Sequence, residues 1–66
     1  MQVMINGEER QIPEGLTVTA LLQQLALPAE RVAIERNRDI LPRGCWAATA
    51  VKPGDSYEIV HLVGGG

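Results

Sequence analysis

Val3 and Ile5 alternate with Gln2, Met4 and Asn6, a period of two that predicts a half-buried strand over residues 2–6. Asn6-Gly7 follows, and both residues tolerate the positive φ of a type I′ turn, so the chain is expected to reverse there. Glu8 to Ile12 then forms the returning strand, polar enough for a sheet edge, and Pro13 and Gly15 end it. After Thr17 the period changes. Val18, Leu21, Leu22 and Leu25 fall at i, i+3, i+4 and i+7, one stripe of an amphipathic helix with Thr17 as its N-cap and Gln23 and Gln24 on the far side. Pro28 stops this helix by biasing Leu27 away from the α region. A leucine stripe can also be a partner-binding face, but in a chain with one good helix it is read as core.

Val32 and Ile34 point inward on a third strand, which closes at the polar turn Arg36-Asn37-Arg38-Asp39. Ile40-Leu41 is a short fourth strand cut by Pro42, and Trp46 follows in an irregular segment as a lid on one end of the core. Pro53-Gly54-Asp55 makes a turn into the last strand, Tyr57 to Val63, which runs into Gly64, Gly65 and Gly66. A hairpin, a helix across its face and later strands returning to the same sheet describe an α+β domain. The expected architecture is a ubiquitin-like β-grasp, with a mixed sheet of four to five strands packed on one helix. Periodicity does not assign strand pairing, so the topology rests on analogy with that roll. The domain is expected to span 1–63, with a flexible glycine tail at 64–66.

Length changes what this fold can do. At 66 residues, folding buries only about 60% of the surface that an unfolded chain exposes. A cleft deep enough for substrate and a catalytic constellation is not expected, which argues against an enzyme. Net charge is −2, with both signs interspersed and Trp46 and Tyr57 the only aromatics. That is not a phosphate-tracking, base-stacking surface, so nucleic acid is not an expected partner. Cys45 has no second cysteine to pair with, the first residues lack a signal-peptide apolar run, and no stretch approaches a membrane span. A soluble cytoplasmic protein without membrane contact is the expectation.

Candidate chemistry is sparse. Cys45 has only Arg43 nearby in sequence to activate a thiolate and reads as a passive thiol. His61 has no second histidine, further cysteine or spaced carboxylate beside it, so no metal site is expected. If Tyr57 and Ile59 point inward, Val60 and Leu62 lie on the solvent side of the sheet, beside Met4 if the first and last strands are neighbours. Met4, Val60 and Leu62 then form an apolar docking surface; alternatively a twist or bulge near the strand end buries them. Three glycines extended from the last strand would reach about 10 Å, thin enough for a narrow channel. They also fit a frayed terminus or a fusion remnant.

Several stretches together resemble the ThiS family over essentially the whole chain. They are the Asn6-Gly7 turn, Glu35-Arg36-Asn37, Leu41-Pro42-Arg43 followed by Trp46, Gly54-Asp55, and Glu58-Ile59-Val60 leading into Val63-Gly64-Gly65-Gly66. A terminal diglycine alone is shared with ubiquitin and the molybdopterin synthase small subunit; Asn37, Pro42-Arg43, Trp46 and the length narrow the likeness to the thiamine branch. The resemblance implies a sulfur carrier for thiazole formation, itself not an enzyme and with no bound cofactor. A ThiF-like adenylyltransferase would consume ATP to adenylate the Gly66 carboxylate. A cysteine desulfurase or other sulfur donor would convert it to a thiocarboxylate (1-thioglycine), and a ThiG-like thiazole synthase would receive the sulfur. Gly64, Gly65 and Gly66 would be the tail that adenylation requires. A molybdopterin-type carrier and a ubiquitin-like modifier are the alternatives.

Overall fold

The computed structural model describes residues 1–63; the tail expected at Gly64, Gly65 and Gly66 lies outside them. β1 (Gln2–Ile5) and β2 (Glu8–Gln11) pair antiparallel, Ile5 opposite Glu8, through the two-residue turn Asn6-Gly7. Both turn residues have positive φ, 51° and 81°, as the type I′ geometry requires. Helix α1 (Val18–Gln24) opens on Thr17, whose hydroxyl accepts from the Ala20 amide at 3.2 Å, and it buries Val18, Leu21 and Leu22. The bridge of Thr17 with Ala50 ties the helix start to the chain that precedes the last strand.

The helix ends earlier than Pro28 alone would dictate. Ala26 adopts a left-handed φ of 57°, its amide bonds Gln23 O at 3.1 Å, and the Leu27 amide reaches back to Leu22 O at 2.9 Å. This is a Schellman ending with alanine where glycine is usual.

A 3-10 turn (Ala29–Arg31) leads into β3 (Val32–Arg36), which pairs antiparallel with β4 (Asp39–Ile40) through Asn37-Arg38, a second two-residue turn with both φ positive. The short fourth strand thus sits one residue earlier than Ile40-Leu41, although the Leu41 amide still bonds Ile34 O. Trp46 lies in a six-residue 3-10 helix (Arg43–Ala48) where an irregular segment was expected. Such a helix carries too few residues to display an amphipathic period. Its expected role as a lid stands: the indole is buried and donates to Leu41 O at 2.9 Å.

β5 (Ser56–His61) stops two residues before Val63. The strand order is β2-β1-β5-β3-β4, with β1 and β5 parallel and the other pairs antiparallel. The structure is therefore a mixed five-stranded sheet on one helix, with polar β2 at an edge as its sequence suggests. The core lies between sheet and helix, where Val3, Ile5, Val32, Ile34, Tyr57 and Ile59 meet Val18, Leu21 and Leu22. The consequence for function is the place of β5. The strand that leads toward the glycines is central, held by neighbours on both sides.

Candidate functional site

Each end of β5 is held by side chains as well as by the ladder. At its start, Asp55 is only 6% exposed and its carboxylate accepts from Arg36 Nε at 3.1 Å and Nη2 at 3.3 Å, the Asn37 amide at 3.4 Å, the Lys52 backbone N–H at 2.9 Å and the Tyr57 hydroxyl at 2.9 Å. Burial opposes ionisation of Asp55, but the Lys52 amide, Arg36, Tyr57 and Asn37 outweigh it and hold the carboxyl below its ordinary range. Burial, then the bond to Asp55, pushes the Tyr57 phenol up to about 12. The hydrogen bond to Asp55 raises Arg36 in turn. Asn37 also accepts from the Ser56 amide at 3.0 Å, joining the β3–β4 turn to β5.

Further along, β1 has turned away at Gly7, and the Asn6 side chain takes over its pairing. Asn6 Nδ2 donates to Ile59 O at 3.1 Å and Oδ1 accepts from Ile59 N at 2.8 Å. A side-chain amide thus fills a strand position across 53 residues of sequence. Past the strand end, the Leu62 amide bonds Arg31 O at 2.8 Å.

The sheet face opposite the helix carries a groove of about 320 Å³ around Ala33, Ile40, Val60, Pro42 and Trp46, with Glu35 and Glu58 in its wall. Arg43 braces one side: its guanidinium donates to Ala29 O and to Val32 O and lies 4.6 Å from the Trp46 ring centroid. Pro42-Arg43 and Trp46, picked out in the sequence as family marks, are thus parts of a support.

Val60 and Leu62 are 53% and 52% exposed, and Ile40 joins them at 79%. Met4 is not beside them. The parallel register sets Met4 level with Ser56, four residues before Val60 on β5, and Met4 lines a separate depression with Gln2, Glu9 and Pro53. Alternation correctly gives Met4 an outer-face position, but its level depends on a register that periodicity does not contain. Gly64, Gly65 and Gly66 lie outside the described residues. Cys45 is exposed on the 3-10 helix and His61 at the end of β5. Among the described residues, no three metal-ligating side chains are placed to hold an ion, and no helix is long and apolar enough to cross a membrane.

One helix on a mixed sheet of this order, with an exposed apolar groove beside a central strand leading to three glycines, defines a ubiquitin-like β-grasp protein. Comparison with known proteins narrows the class. The ThiS family model matches residues 3–66. The solved thiamine biosynthesis protein (ThiS) of Geobacter metallireducens superposes with a TM-score of 0.87 at 39% identity, covering 100% of both chains. The sulfur carrier protein ThiS of Escherichia coli is 35% identical over 66 residues, again 100% of each. The thiazole synthase of Paramagnetospirillum magneticum is 47% identical over 66 residues, all of this chain but 20% of that protein. The thiazole synthase of Magnetococcus marinus matches likewise at 38%, so the chain spans about a fifth of the length of these two curated relatives. The chain belongs to the ThiS family.

Proposed function

We propose that the chain is the sulfur carrier of thiazole formation in thiamine biosynthesis, with the Gly66 carboxylate as its reactive group. The observation that carries this reading is the match, end to end on both sides, with the E. coli sulfur carrier. The similarity to two thiazole synthases, which contain a stretch like the whole of this chain within a fifth of their length, favours thiazole synthase as the recipient.

The chemistry follows from the end group. A carboxylate resists nucleophiles because its charge is delocalised and its leaving group would be oxide. A ThiF-like adenylyltransferase removes that obstacle: Gly66 attacks the α-phosphorus of ATP, pyrophosphate leaves, and the product is an acyl-adenylate. The persulfide of a cysteine-desulfurase relay then attacks the acyl-adenylate and displaces AMP to give an acyl disulfide. A thiol cleaves that disulfide and is itself oxidised to a disulfide, and the thiocarboxylate so released is a soft nucleophile for the thiazole precursor on thiazole synthase. Glycine at 64, 65 and 66 leaves backbone without a Cβ to obstruct the adenylating site. Residues 1–63 serve as the docking body, with Val60 and Leu62 as contacts. The partners supply the catalysis, and we assign the protein to the cytoplasm.

Incubation with ATP, the cognate activating enzyme and a sulfur donor, followed by intact mass spectrometry, tests the reading. Replacement of one oxygen by sulfur at Gly66 is expected. Attachment of the chain to lysine side chains, or no change in mass, would contradict it.

A further inference from the structure

In the wall of the exposed groove, two carboxylates face each other across the sheet. The β3–β5 register pairs Glu35 with Glu58, and both are exposed. The bonds from Asn37 N to Ser56 O and from Leu62 N to Arg31 O, at the two ends of this ladder, fix its phase. By that phase, Glu35 and Glu58 form a hydrogen-bonded pair, whose Cα atoms stand about 5.5 Å apart. Like charges in directly opposed positions weaken a sheet.

No ion pair among the described residues relieves this opposition. Among the described residues the ion pairs join Arg10 to Glu8 and Arg36 to Asp55. Arg43, which lines the same groove, is directed to the carbonyls of Ala29 and Val32 and to the Trp46 ring. Aliphatic side chains flank the pair on the groove side: Ile40 sits opposite Glu35 on β4, and Val60 follows Glu58 on the same face of β5. Two uncompensated carboxylates between exposed aliphatic side chains complement an arginine. Its planar guanidinium offers donors to both acids at once, and its methylene stem can lie on Ile40 and Val60. A lysine would present a single point charge and satisfy the pair less well.

We infer that this groove receives an arginine of thiazole synthase, presented among apolar side chains, with Glu35 and Glu58 as its acceptors. The inference rests on the carrier reading above and adds to it the chemistry of the recognised surface. It also accounts for an acidic pair that weakens the free fold: the opposition is relieved only in the complex.

The test is a titration of the full chain with purified thiazole synthase from the same organism. It compares Glu35→Gln, Glu58→Gln, the double variant, and Glu14→Gln as an exposed acidic control away from the groove. Each groove variant is expected to raise the urea midpoint of the free chain while weakening the complex about tenfold, the double variant more. The salt dependence of binding should flatten in the double variant, and Glu14→Gln should match wild type. Equal affinity of wild type and double variant would overturn the inference alone, as would a loss of affinity confined to the activating enzyme. Failure of the wild-type chain to bind thiazole synthase would overturn the carrier reading together with it.

Discussion

Replacing Asp55 with alanine removes the acceptor of five hydrogen bonds contributed by four residues. The Tyr57 hydroxyl is left in a side chain with 0% exposure, where an unpartnered polar group costs about 1–3 kcal/mol. The Lys52 amide adds about 1 kcal/mol. The Arg36 side chain is 27% exposed and can turn toward water, so its loss is discounted from the buried-pair range to about 1 kcal/mol. The sum is about 3–5 kcal/mol, against a total stability on the order of 3–10 kcal/mol for a chain of this length. Urea unfolding followed by circular dichroism should therefore show a large fall in midpoint or a variant unfolded at room temperature.

A cycle with Tyr57→Phe isolates the shared bond, and the double variant should be less than additive by about 1 kcal/mol. The same network gives a pH signature. Because Asp55 is held below its ordinary value of 3.8, its contribution is present above that value and lost as pH falls through the folded pKa. Tyr57, raised from 10.0 to about 12, contributes fully below pH 10.0 and loses that contribution as pH rises toward about 12. An Asp55→Ala midpoint within about 0.5 kcal/mol of wild type, or strict additivity in the cycle, would refute the assignment.

Three further outcomes follow. Ala26→Gly and Arg38→Gly should each stabilise the fold by about 0.5–1 kcal/mol in urea, because both positions hold a left-handed backbone that glycine adopts without a Cβ penalty. Asn6→Gly keeps the turn but loses both bonds to Ile59, which should cost about 1–2 kcal/mol. Asn6→Ala should cost about 1 kcal/mol more for its positive φ, and the gap between the two variants separates turn from bridge. Gly65→Val, or any residue appended after Gly66, should leave the unfolding curve unchanged and abolish ATP–pyrophosphate exchange with the activating enzyme.

Features of the fold that depend on near neighbours are visible in the sequence. Asn6-Gly7, the Thr17 cap, the Val18–Leu25 stripe and the inward set Val32, Ile34, Tyr57 and Ile59 each follow from local propensity or period. Features that depend on which strands meet are not. Asn6 reaches Ile59, Asp55 gathers Arg36 and Asn37, and Glu35 stands against Glu58 only once β5 lies between β1 and β3. Met4 shows the same division: its outer-face position is readable by alternation, whereas its separation from Val60 is a matter of register. Of the groove, Val60 is readable by alternation along β5, whereas Gly64, Gly65 and Gly66 lie outside the described residues. Ile40 and the acidic pair carry no such signal, because an exposed residue on a two-residue strand has no period and the opposition of Glu35 and Glu58 depends on the β3–β5 register.

The proposed function stands or falls with sulfur on the Gly66 carboxyl. Intact-mass analysis of the chain purified from its own cells growing without thiamine, with fragmentation to locate the change, tests it most directly. The expected result is a population with one oxygen exchanged for sulfur at the Gly66 carboxyl, discharged on incubation with thiazole synthase and its substrates. A terminus found only as carboxylate under that demand, or a polypeptide continuing past Gly66, would contradict it.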